Sequence, residues 1–258
     1  MHYGKTKIVL CEDEYDLGVK AASAVATTMR ELLAKKIEIR IIFAAGESQM
    51  TFLDALSQEP EIEWNRVICF NMDDFWDIRM PEECTCGYQT RTQLYDKVQP
   101  KSYYLVKYNA SDPYEEAHRF GELIRKAGQI DILCQGIGTS GHLALNEPNQ
   151  TVFNDSAWAR VVDISEQSKN QLMEDPNFKA LGYIPEKGIT LTIPAMFTAP
   201  YTFTMVPLRL KREILTRLLA IETPAADLPA TILRTTEGTL FIDRNSCPER
   251  ILEEFDGA

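Results

Sequence analysis

The sequence predicts an α/β protein built on a mostly parallel sheet covered by helices on both faces. Three observations carry that reading. Helix-periodic and strand-like segments alternate along the 258 residues. The strand-like segments are near-continuous apolar runs, as strands buried on both faces must be. Polar clusters follow Phe43, Phe70 and Gln135, and in such sheets ligands bind beyond the carboxyl ends of strands, near a switch point.

The elements follow in order. Leu17, Ala21, Ala24, Val25, Thr28, Met29 and Leu32 fall on one face at helical spacing. The β-branched run Ile37 to Phe43 predicts a strand entering a core. Ala44 to Ser48 reads as a turn, and Gln49 opens a short helix to Leu56. Arg66 to Phe70 is the next strand, ending in Asn71-Met72-Asp73-Asp74. Tyr114 to Ala127 is amphipathic, with Tyr114, Ala117, Phe120, Leu123 and Ile124 inward and Gly128 placed to cap it. Ile130 to Cys134 runs into the glycine-rich Gly136 to His142. Further strands are predicted at Arg160 to Ile164, Gly188 to Ile193, Tyr201 to Val206 and Gly238 to Ile242. Leu210, Ile214, Leu218 and Ile221 mark a helix. No repeat, low-complexity tract or linker divides the chain, so residues 1–258 read as one domain.

Composition narrows the function. Lys and Arg number 27 against 38 Asp and Glu, a net charge of −11. That balance opposes nucleic acid or an anionic membrane as main partner, because both need a basic face. A small anionic ligand needs only a local positive site. No secretory apolar stretch follows Lys5 and Lys7, and no run approaches the ~18 residues of a membrane helix. Cys69 and Cys134 lie inside apolar runs and read as buried thiols. Cys84-Thr85-Cys86 lacks the spacing and second pair of a zinc site. A reducing cytoplasm is the compartment these cysteines suggest.

Gly136 to Gly141 matches the dinucleotide fingerprint G-x-G-x-x-G, and Asp163 lies near the required acidic offset. The fingerprint also needs a helix immediately afterwards, and Pro148 blocks one. The segment reads better around His142. It follows a glycine-rich turn at a strand end, with Glu147 five residues on, and an imidazole beside a carboxylate suits proton transfer near neutral pH. A core histidine bonded to a backbone carbonyl is the alternative. Asp73 and Asp74 are neighbours in an extended segment, so one of them addresses a pocket and the other faces away. The first would be a base for a proton next to a carbonyl; an N-cap or solvated loop is the alternative. Ala45-Gly46-Glu47-Ser48 has the form of a phosphate cradle at a helix start, although Glu47 would repel a phosphate unless turned aside. Arg209, Lys211 and Arg212 open a helix where cations oppose its dipole, which favours a ligand role.

Asn71 to Phe75 and Gly136 to Pro148 together resemble the glucosamine-6-phosphate deaminase/isomerase family. The resemblance runs from the strand before Gly46 to Ile242-Asp243. It implies a three-layer α/β sandwich with a mostly parallel, Rossmann-like sheet, related to phosphogluconolactonases and ribose-5-phosphate isomerases. It also implies conversion of an amino-sugar 6-phosphate, of glucosamine or galactosamine, to a ketohexose 6-phosphate and ammonia, with no cofactor and no metal. Asp73 would move a proton between C2 and C1. His142 would open the ring, supported by Glu147, with Ser140 in the same catalytic group. Ala45, Gly46, Glu47, Ser48, Asp74, Gly138 and Lys211 would surround the substrate and its phosphate. The partners implied are a sugar phosphate and further copies of the chain.

Three departures stand out. Ser140 takes the place of an acid, so the histidine is expected to lose its acidic partner there. Glu47 and Gln49 replace a Gly and a Pro in the phosphate loop. Gln171 falls where the family carries a phosphate-binding Arg, with Lys169 as candidate replacement. Other readings are a phosphogluconolactonase-like hydrolase, distinguished by the absence of ammonia release, and a non-catalytic sugar-phosphate sensor.

Overall fold

The structure, a computed structural model, describes residues 1–257. Its strands are β1 His2–Tyr3, β2 Thr6–Cys11, β3 Ile39–Phe43, β4 Val67–Asn71, β5 Asp73–Trp76, β6 Ser102–Tyr104, β7 Ile132–Gln135, β8 Ala159–Asp163, β9 Lys187–Leu191, β10 Tyr201–Val206 and β11 Gly238–Asp243. Eight of them form one sheet in the order β1-β2-β11-β10-β7-β3-β4-β6. Every pairing in it is parallel except β1 with β2.

Alternation along the strands builds three layers. Ile41 and Phe43 of β3 pack with Leu17, Ala21, Val25 and Met29 of the helix Glu14–Leu33 and with Phe52 and Leu56 of the helix Met50–Ser57. Ile42, between them, packs on the other face with Phe120 and Ile124 of the helix Pro113–Ala127 and with Leu215 and Leu218 of the helix Arg212–Ala220. The long helices carry their own start signals. Asp13 accepts from the N–H groups of Tyr15 and Asp16, and Asp112 from those of Tyr114 and Glu115 ahead of Pro113. Such caps satisfy donors that the helix leaves unpaired. Gly128 follows the second helix with φ +90°.

Tyr114 departs from expectation: it is 64% exposed. The inward stripe is Pro113, Ala117, Phe120 and Ile124, and Tyr114 lies one residue, about 100°, off it. The strands at Ala159–Asp163 and Lys187–Leu191 exist but do not join the parallel sheet. They pair antiparallel with each other and with β5, giving a second sheet in the order β5-β9-β8.

The chain steps from β3 to β4 and β6 on one side, then returns to β7, β10 and β11 on the other. The switch point therefore lies between β3 and β7. Beyond β4 only Met72 separates the large sheet from β5 of the small one. Its N–H donates to the Phe43 carbonyl at 3.2 Å, and its carbonyl accepts from Leu191 N–H at 2.8 Å. No helix among the described residues is long and apolar enough to cross a membrane.

Candidate active site

A cavity of about 400 Å³ opens at the carboxyl ends of β3, β4 and β7, a size ordinary for small-molecule sites. Asp73 and His142 both line it. The Asp73 carboxylate is 8% exposed and accepts no hydrogen bond among the described residues. Burial raises its pKa to about 7, against the opposing pull of the His142 charge.

Asp74 is not on the cavity wall, which corrects its expected place among the ligand-binding residues. In the strand β5 it points the other way. Its carboxylate accepts from the N–H groups of Phe75 at 2.9 Å, Cys86 at 2.9 Å and Gly87 at 2.8 Å. Burial moves its pKa up to about 8, helped by the Asp73 charge and opposed by those three donors. Asp74 thus anchors the segment that starts the helix Cys86–Thr90. Asn71 anchors the same region: its Nδ2 donates to Thr90 Oγ1 at 2.6 Å, and Tyr95 OH donates to its Oδ1 at 2.9 Å.

The His142 loop is turned tightly on itself. Gly138 N–H donates to the His142 carbonyl at 3.0 Å, and Gly141 N–H to the Gly138 carbonyl at 2.9 Å. A Cβ on Gly138 would lie 2.0 Å from His142 Nε2, so only glycine lets the ring rest there. Glu147 is fully buried behind the ring, its Oε1 3.2 Å from His142 Nδ1. Ser140 Oγ lies 2.8 Å from the same Nδ1 and donates to Glu147 Oε2 at 2.8 Å. Ser168 Oγ donates to Glu147 Oε1. Burial pushes the Glu147 pKa up, but the His142 hydrogen bond and charge and the two hydroxyls outweigh it, and the net value falls to about 2. The single Ser140 proton goes to the carboxylate, so Nδ1 is the ring nitrogen that donates and Nε2 is left for proton exchange. Position 140 thus offers the ring a hydroxyl in place of an acid, and the carboxylate that meets the ring is Glu147.

Ala45, Gly46, Glu47, Ser48, Gly138 and Lys211 line the same cavity. Gly46 adopts φ +100°, a region that favours glycine. Gln49, which departs from the proline usual in the resembled loop, is fully buried, and its Nε2 donates to Ser48 Oγ at 3.0 Å. Lys211 is 5% exposed, and its ammonium has no hydrogen bond or ion pair among the described residues. Burial lowers its pKa to about 8, with Glu47 pulling the other way. Its neighbours do not share its position. Arg212 donates to the carbonyls of Arg244 and Asn245, and Arg209 is off the wall. Lys169 pairs with Glu166 and Glu186, so it does not replace the missing arginine; Gln171 is on the wall and accepts from Thr139 Oγ1 at 2.7 Å.

Sequence reasoning missed the wall made by Tyr88, Gln89, Thr92 and Gln93. Its one legible signal was Thr85, whose side chain accepts from Tyr88 N–H as a helix cap. Ser168 was also missed, since a lone serine on a short polar helix carries no signal of what it faces.

Comparison with known proteins places the chain in a family. The family model described as glucosamine-6-phosphate isomerases/6-phosphogluconolactonase matches residues 12–242. Glucosamine-6-phosphate deaminase 1 of Bacillus subtilis is 23% identical over 249 residues, 95% of this chain and 99% of that protein. Glucosamine-6-phosphate deaminase of Bacillus pumilus is 26% identical over 245 residues, 93% and 98% of the two. Among solved structures, a monomeric glucosamine-6-phosphate deaminase superposes with a TM-score of 0.81 at 23% identity, covering 93% of this chain and 98% of that one. The 6-phosphogluconolactonase of Thermotoga maritima superposes with a TM-score of 0.73 at 23% identity, covering 93% and 99%. With a match spanning nearly the whole chain and a cavity at the expected switch point, the protein belongs to the glucosamine-6-phosphate isomerase/6-phosphogluconolactonase family.

Proposed function

We propose that the chain is an amino-sugar 6-phosphate deaminase/isomerase. The observation that carries this reading is the pairing, in one cavity, of a buried unbonded Asp73 with a His142 backed by Glu147. In the reading, His142 exchanges a proton through Nε2 as the sugar ring opens, and Glu147 stabilises the imidazolium. Asp73 then removes the C2 proton of the open aldehyde as the C1 oxygen takes up a proton, giving the enolamine, and returns its proton to C1. The resulting C2 imine takes up water and releases ammonia, leaving the ketose. Each proton transfer by a positioned group is worth on the order of 10²–10⁴ in rate. Lys211 holds the phosphate, a remote handle whose binding energy fixes the reacting carbons.

Lactone hydrolysis is the second reading, supported by the 6-phosphogluconolactonase neighbours. It needs no base for a C2 proton, the task that the deaminase reading gives Asp73. Assay of ammonia release from glucosamine 6-phosphate and galactosamine 6-phosphate, beside hydrolysis of 6-phosphogluconolactone, tests both. Ammonia from either hexosamine supports the deaminase; acid release from the lactone alone replaces it. The resemblance further implies a homo-oligomer, which light scattering of the purified chain measures.

A further inference from the structure

Gln89 lines the cavity beside the Gly46 loop. It stands on the helix Cys86–Thr90, across from the Gly46 loop, and lines the same space. Its Oε1 accepts from the Gly46 N–H at 2.6 Å, and its Nε2 donates to Met50 Sδ at 2.9 Å. The donor that the loop would offer an anion is therefore held by an uncharged oxygen on a flexible side chain. Lys211 is buried on the wall of the same cavity, its ammonium without a hydrogen bond or ion pair among the described residues. Glu47, exposed on the same wall, adds a negative charge that an incoming anion must tolerate.

Resting on the function proposed above, we propose that Gln89 sets the affinity of this cavity for phosphate: its amide oxygen keeps the place of an anion oxygen, and the ligand enters by displacing it. A phosphate succeeds because a charged acceptor forms a stronger hydrogen bond than an amide and also reaches Lys211. A neutral sugar hydroxyl gains neither advantage. Gln89 is thus a specificity-determining residue that favours phosphorylated sugars while restraining how tightly they bind.

Calorimetric titration of inorganic phosphate into the full chain tests this. Gln89→Ala removes the competing oxygen and is expected to bind phosphate about fivefold more tightly, the worth of one hydrogen bond. Gln89→Glu places a charged competitor at the loop and is expected to bind it more weakly than wild type. Lys211→Ala should weaken phosphate as well. Equal or weaker binding by Gln89→Ala, or no binding by either that variant or wild type, overturns the proposal, as does undiminished binding by Lys211→Ala. If Gln89→Ala does not fold, Gln89→Glu decides: unchanged or tighter binding overturns. Phosphate binding needs no turnover, so absence of ammonia release would remove the deaminase reading without touching this result.

Discussion

A carboxyl whose pKa is raised to about 7 by burial is poised to serve as a base at neutral pH, and Asp73 is placed to do so. In the proposed reaction the ionised form is the active one, so kcat/KM is expected to fall about tenfold per pH unit below pH ~7, read from a pH–rate profile. Asp73→Asn is expected to lower kcat by roughly 10³ or more while leaving phosphate binding near wild type. Asp74 makes the opposite prediction. Asp74→Asn turns an N–H₂ group toward the Gly87 N–H that Oδ2 now accepts, so it should destabilise the protein by about 2 kcal/mol, measured by denaturant unfolding. The sequence could say that one of the two faces a pocket. Alternation alone could not say which, and only the family resemblance named Asp73, because the choice depends on the register of β5 against β9, where Asp73 pairs with Thr190 and Asp74 with Ile189.

The glycine-rich loop between β7 and Pro148 is the element on which the histidine depends. Gly138→Ala would drive a methyl group into the His142 ring. The ring must leave, and a misplacement of about 1 Å costs on the order of 10²-fold in rate. The expected result is a loss of kcat with an unfolding midpoint close to wild type; an unimpaired Gly138→Ala would show that the ring position is immaterial. The loop, and the strands at Ile39–Phe43, Tyr201–Val206 and Gly238–Asp243, were legible because their apolar runs and turn residues are local signals. The strand β5 was not. Its four residues are two carboxylates and two aromatics, without alternation, and only the partner strand β9 makes them extended. The helical wall bearing Gln89 was equally hidden. Its polar residues face the cavity, which removes the apolar stripe that betrays a helix.

Across the whole molecule, two buried carboxyls tie stability to pH. In the unfolded chain Asp73 and Asp74 ionise near 4; in the folded protein they hold their protons to about 7 and about 8. Their contribution to stability is therefore complete below pH ~4 and is lost as pH rises through 7 to 8. Asp73→Asn cannot ionise, so its melting temperature should exceed that of wild type by an amount that grows from pH 5 and levels off above pH ~7, reaching several degrees. A constant gap would show that burial is not what raises the Asp73 pKa. The three-layer architecture was readable from the alternation of elements, but the division into two sheets was not, since pairing direction leaves no mark in a short strand.

The pairing of β11 with β2 has one more effect. Six residue pairs, from Gly238 with Thr6 to Asp243 with Cys11, join a strand made early in translation to one made late. While the ribosome is still adding the intervening stretch, β2 has only the two-residue β1 beside it. Its exposed edge then invites contact with other nascent chains. The sheet closes only after β11 emerges, so chaperone demand during synthesis should track how long that closing segment is delayed.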